Sequence, residues 1–279
     1  MFRILAGLTG VLGLALGFSA IAAAAEANLT VTVAGRTTTY APASLLGMAA
    51  TTSVSIPNDV AYKREMSFRA VPAASLLEGV APDDTLRFVA SDGFVATLPA
   101  ALLLARSGAV AYLAIEPGDA PWPPLKPQGG ASAGPFYLVW LNPERARITP
   151  EQWPYQVARI EAVAPLAKRY PMLAPAVSAH DAVRRGYAVF EKNCSVCHTL
   201  NLGGDATIGP DLNVPYNPTE YMRIDALRRL IRNPQTLRRW PAAKMPAFEP
   251  KLLSDRDLTD LLVYLRHMAD RKITVPAGK

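Results

Sequence analysis

The chain has 279 residues, 50% of them hydrophobic, and a formal net charge of +6. That composition fits one large or two ordinary globular domains with a real core and excludes a disordered chain. Two cysteines in the whole sequence exclude a disulfide-rich scaffold.

Residues 1–25 differ from the remainder. Arg3 gives a short basic start, Ile4 to Ala25 is apolar, and the run ends in alanines. Ala23-Ala24-Ala25 and Ala25-Glu26-Ala27 both fit the A-x-A cleavage rule. The expectation is a secretory signal peptide over 1–25, a mature chain starting near Glu26 or Asn28, and a periplasmic location. An uncleaved anchor is the competing reading, because the run is long enough to span a bilayer. Charge is uneven beyond it. Residues 26–175 hold 12 basic and 12 acidic side chains, while residues 176–279 hold 16 and 11. The basic C-terminal part is expected to steer toward a redox partner protein with an acidic docking face. Its basic residues come in short Arg pairs, which argues against nucleic acid.

Alternation in Leu29-Thr30-Val31-Thr32-Val33, closed by Ala34-Gly35, predicts a strand and a turn. Further strands are expected at Ser53–Ile56, Leu86–Val89, Phe94–Leu98, Ala109–Ile115 and Phe136–Trp140. Turn signals at Pro57-Asn58-Asp59, Pro82-Asp83-Asp84, Asp92-Gly93 and Pro117-Gly118-Asp119 separate them. Short helical pieces are expected at Pro42–Met48 and Pro72–Leu77. Residues 26–160 thus read as a β-rich α+β domain. Residues 161–177, with Pro165, Pro171 and Pro175, read as a linker.

From Ser178 the pattern becomes helical. Ser178 is a candidate N-cap with Asp181 three residues on, and Val183, Tyr187, Phe190 and Cys194 share one helix face. A second helix is expected at Asp225–Arg232, stopped by Asn233-Pro234. Ser254 caps a last helix with Leu258, Leu261, Leu262 and Leu265 on its apolar face. An all-α domain over 178–272 follows, with 273–279 as a tail.

The first helix leads into Cys194-Ser195-Val196-Cys197-His198. This C-x-x-C-H spacing is that of covalent c-type haem attachment: two thiols for thioether bonds and an adjacent imidazole for the iron. A thioredoxin-like pair would need a βαβ setting, and a zinc site would need a second Cys or His pair. One haem c uses both cysteines. His198 is one axial ligand. Of the three methionines after the motif, Met245 sits in Lys244-Met245-Pro246, in a loop able to reach the far side of a flat haem. Met222 and Met268 read as core residues. His180 and His267 are alternative ligands on helices among charged neighbours. His/Met ligation closes the iron to small molecules and suits electron transfer.

Residues 178–272 resemble a class I cytochrome c domain, through Gly186 and Phe190, Cys194-x-x-Cys197-His198, Ile208-Gly209-Pro210-Asp211-Leu212, Asn233-Pro234, Lys244-Met245-Pro246 and Leu261-x-x-Tyr264-Leu265. The resemblance implies that Gly186 and Phe190 cross against Leu261 and Tyr264, and that the Pro210 carbonyl accepts a hydrogen bond from His198. Tyr216 and Trp240 are candidates for the haem pocket or the core. Val71–Leu77, Ser91–Phe94, Tyr112–Ala114 and Gly134–Trp140 resemble the molybdopterin-binding domain of the sulfite oxidase family. That family holds molybdenum through a cysteine thiolate, and this region has none, so molybdopterin is not expected. The sequence therefore reads as an exported one-haem electron carrier, passing electrons from a periplasmic dehydrogenase to a cytochrome or oxidase, rather than an enzyme, with its first domain a docking or binding module. A sulfite-type molybdenum oxidoreductase subunit and a haem-based ligand sensor are the alternatives.

Overall fold

Leu29, Val31 and Val33 are buried while Thr30 and Thr32 between them are half-exposed, the period-two pattern of a strand with one face in a core. The computed structural model describes residues 27–240 and 243–274. The expected signal peptide and positions 275–279 of the tail lie outside them.

The N-terminal part runs β1 (Leu29–Val33), β2 (Arg36–Tyr40), α1 (Pro42–Leu46), β3 (Thr52–Ile56), β4 (Met66–Pro72), β5 (Thr85–Ala90), β6 (Val95–Pro99), α2 (Ala100–Leu104), β7 (Val110–Ile115), β8 (Phe136–Leu141) and β9 (Val157–Val163). Two sheets form, one ordered β2-β1-β9-β5-β6 and one ordered β3-β4-β7-β8. Among the described residues, the β1–β9 pairing alone is parallel. Phe68, Phe88, Phe136, Tyr137 and Trp140 fill a common core. Edge-on contacts of Phe68 with Trp122 and Tyr137, at centroid distances of 4.9 and 5.8 Å, knit the second sheet.

The helical part comprises α3 (Leu166–Arg169), α4 (Asp181–Asn193), α5 (Pro218–Tyr221), α6 (Ile224–Arg232) and α7 (Asp255–Ala269). Among the described residues, no helix is long and apolar enough to cross a membrane. Ser254 caps α7 as its sequence predicts: its hydroxyl accepts from the Asp257 N–H at 3.1 Å, and Asp257 reaches back to Ser254. Leu258, Leu261, Leu262, Tyr264, Leu265 and Met268 are all buried.

Three differences from the sequence reading have physical causes. α4 begins at Asp181 with His180 at the N-cap position, not at Ser178. The Ala179 N–H bonds the Ala176 carbonyl, and Arg184 holds the Val177 carbonyl, so Ser178 stays in a turn before the helix. β9 carries the first domain's sheet to Val163, past the expected end at 160. It pairs with β1, more than a hundred residues away, and its Ala, Arg and Glu content gives little local β signal. The proline-rich stretch is also structured. It forms α3, places Leu166 and Leu173 in the helical core, and receives the Tyr264 hydroxyl on the Leu173 carbonyl at 2.7 Å.

α4 and α7 cross at Gly186. A Cβ there would overlap the Asp260 carbonyl and come within 2.6 Å of the Tyr264 Cβ. Arg185 beside it clamps the buried Asp260 carboxylate, with Nε 2.7 Å from Oδ2. Gly186→Ala is therefore expected to force the helices apart and to destabilise the chain by about 3 kcal/mol, the upper range for overpacking. Urea unfolding followed by circular dichroism checks this.

Candidate haem-binding site

α4 delivers its C-terminus to the motif without a break. The Cys194 and Ser195 N–H groups both bond the Phe190 carbonyl at 2.9 Å, and the Cys197 and His198 N–H groups both bond the Cys194 carbonyl, at 3.0 and 2.8 Å. The two thiols and the imidazole thus sit on one tight turn continuing the helix. The chain then folds back over it, with the Gly209 N–H on the Cys197 carbonyl at 2.7 Å and the Leu212 N–H on the Thr199 carbonyl at 2.9 Å.

That return places the Pro210 carbonyl 2.7 Å from His198 Nδ1. A carbonyl only accepts, so Nδ1 carries the proton and Nε2 keeps its lone pair for a metal. Burial pushes the imidazole below its usual pKa, against the opposing effect of this hydrogen bond, and so favours the neutral ligand form. Gly209 is the cradle for the ring, since a Cβ there would lie 2.6 Å from both Cε1 and Nδ1.

Cys194 and Cys197 are free and half-buried. Burial first, and the Glu151 carboxylate second, push their thiols up to about 12 and about 11, so both stay protonated at neutral pH. Glu151 is itself buried, 8% exposed, and its own pKa is raised by that burial.

Met245 is half-buried against the helical core, the same core that Cys194, Leu212 and Met222 flank. Its loop is fixed downstream by Arg232, whose guanidinium donates to the Phe248 and Leu253 carbonyls, and by the Phe248 N–H on the Ile231 carbonyl at 3.2 Å. The other candidate ligands lie elsewhere. Met268 is fully buried in the helical core and Met222 flanks it. His180 is exposed at the start of α4, and His267 Nε2 accepts from the Ala176 N–H at 3.2 Å. Tyr216 and Trp240, 68% and 58% exposed, both lie outside the protein core.

Two groups of residues here carried no signal in the sequence. Asn201, Asn213 and Asn217 are each 0–1% exposed. Asn213 Nδ2 donates to Asn201 Oδ1 and to the Met268 carbonyl, and Asn217 Nδ2 donates to Asn213 Oδ1 and to the Leu265 carbonyl, at 2.7–2.9 Å. This ladder ties the loop carrying Pro210 to the end of α7. The second group joins the two domains. Asp205, on the loop after His198, accepts from Arg87 of β5, Arg169 of α3 and the Tyr170 hydroxyl at 2.8, 2.8 and 2.9 Å. Burial raises its pKa, but these partners outweigh the burial and hold the carboxyl below its usual value. Beside it, Val196 is 4% exposed and belongs to the core of the first domain, which Cys197 also touches. Lys192 donates to the Arg147 carbonyl at 2.7 Å.

Residues 183–269, from the first turn of α4 to the last residue of α7, match the family model for cytochrome c. No curated protein matches the chain. The C-terminal region is a cytochrome c domain, and the group that domain implies is haem c. The residues present fit it: two reduced thiols on one turn, a neutral imidazole with Nε2 free, and a thioether on a braced loop.

Gly209→Ala is expected to displace the His198 ring from the Pro210 carbonyl. Covalent haem yield per chain should fall several-fold, measured by haem absorbance against protein mass, while far-UV circular dichroism of the first domain's sheets persists.

Proposed function

We propose that the chain is an exported cytochrome with one covalent haem c, relaying single electrons between a periplasmic dehydrogenase and a downstream cytochrome or oxidase. The observation that carries this reading is the 2.7 Å contact between His198 Nδ1 and the Pro210 carbonyl beside two free thiols. It orients one imidazole lone pair for a metal and raises its basicity.

The haem, when bound, supplies a reversible one-electron couple. Cys194 and Cys197 would hold it through thioether bonds, and His198 and Met245 would ligate its iron. Pro210 keeps His198 in one tautomer. Phe190, fully buried on α4, supports the turn from below, and Arg232 braces the loop that carries Met245. None of these groups needs to exchange a proton as the electron moves, so the site suits fast outer-sphere transfer more than bond chemistry on a substrate.

The first domain is read as a sulfite-oxidase-like binding module without its metal. In support, the strings that carry that resemblance fall on β4, β7 and β8, neighbours in one sheet, and on the β5–β6 turn. No cysteine lies among them.

Purified full-length protein from an exporting host is expected to carry one haem per chain, and Cys194→Ala/Cys197→Ala none that survives acid–acetone extraction. Met245→Ala is expected to keep the covalent haem but to bind carbon monoxide, which the parent protein does not. Molybdenum by elemental analysis, or carbon monoxide binding by the parent, would overturn the carrier reading.

A further inference from the structure

The excess charge of the cytochrome domain lies in one stretch. Residues 213–252 hold eight basic and three acidic side chains, and the other residues of 176–279 hold eight of each. The whole excess of +5 therefore lies on the segment that runs through α5 and α6 to Met245 and past it. Two of its basic groups, Arg228 and Arg232, are spent on Thr259 and on backbone carbonyls. The rest point outward. Arg223 and Arg229 have side chains 87% and 63% exposed and share Asp225 between them. Arg238, Arg239 and Lys244 are exposed, and among the described residues no carboxylate pairs with them.

Part of the attachment turn is covered by the chain itself. Val196 is sunk in the core of the first domain, Ser195 is 7% exposed, and Asp205 is tied across the junction by Arg87. A partner protein cannot reach the cysteine turn from that side without opening the junction.

Resting on the electron-carrier reading, we propose that the acidic redox partner docks on the Arg223–Lys244 surface beside Met245, and that the first domain is a fixed cover over the cysteine turn, not the module that meets the partner. Five exposed cations in residues 223–244, against the single carboxylate Asp225 in that stretch, set up a positive field that steers an acidic surface onto the Met245 loop. Leu227 and Ile231 of α6 are turned inward, while Tyr221, Ile224 and Trp240 stay exposed among the cations; exposed aromatic and Arg side chains together are what protein interfaces are enriched in, and the vesicle arm of the test separates this from binding to an anionic membrane.

The test uses the full-length haem-loaded protein and, as probe, an acidic blue-copper protein in its reduced form. At about 10 mM ionic strength, where charges are weakly screened, Arg223→Glu/Arg229→Glu should lower the bimolecular electron-transfer rate about tenfold and weaken calorimetric binding in step. Arg106→Glu/Arg145→Glu, on the exposed surface of the first domain, should change either by less than about twofold. Hydrogen exchange should show protection over residues 223–244 on adding the probe. The docking proposal is overturned if the control pair falls equally, if neither pair falls, or if the α6 pair loses binding to phosphatidylglycerol vesicles while the parent ignores the probe. Those outcomes leave the carrier reading standing provided that the parent haem exchanges electrons with hexacyanoferrate. If it does not, the carrier reading fails and the docking site with it.

Discussion

The Asn213 side chain has no exposed surface and spends its amide on two partners, Asn201 and the Met268 carbonyl near the end of α7. Much of the site depends on this. Between Asn193 and Pro218 the chain has almost no regular secondary structure, yet it runs through the interior, so its backbone groups lack the partners that a helix or sheet would provide. The Asp211 carboxylate supplies three of them, accepting from the Leu202, Asn213 and Val214 N–H groups. The asparagine ladder then anchors the loop on the Leu265 and Met268 carbonyls in the last turn of α7. Together they make a rigid path from α7 to Pro210. The imidazole orientation is in this sense set by the end of a helix some sixty residues downstream.

The crossing of α4 and α7 is the second constraint, and it acts on the same turn from the other side. Gly186 lets the helices touch backbone to side chain, and Arg185 neutralises the carboxylate buried at the crossing. α4 then ends directly at Cys194, with no connecting residue to absorb error. Its placement against α7 becomes the placement of the thiols. The ladder fixes the imidazole and the crossing fixes the cysteines, and both are referred to α7.

What could be read in advance follows from how local each signal is. The C-x-x-C-H turn, the Ser254 cap and the leucine stripe of α7 lie within a few residues of one another, and periodicity displays them directly. The roles of Gly186 and Pro210 became legible only through resemblance to a family: Gly186 packs on Tyr264, 78 positions away, and nothing local marks the Pro210 carbonyl as the acceptor for His198. β2, β4 and β9 escaped notice. β2 is Thr-rich with little burial, and β9 takes its identity from β1 and β5 on either side. The asparagine ladder and Asp205 were equally hidden. A lone Asn or Asp in a loop is most often solvated, and nothing in its neighbours says that a carbonyl or guanidinium will arrive from another domain.

Asp205 shows why the two domains are better regarded as one working unit. A buried carboxylate is costly unless it is paired, and its three partners come from the first domain and the connecting stretch, none from the cytochrome fold itself. A cytochrome domain that ended at α4 would leave that carboxylate without its counter-charges and Val196 facing water. The domain junction therefore belongs to the haem-attachment loop as much as α7 does. With that side of the loop fixed by the chain's own first domain, the basic excess falls on residues 213–252, the segment that carries Met245, and it is to this segment that the proposed docking assigns the partner.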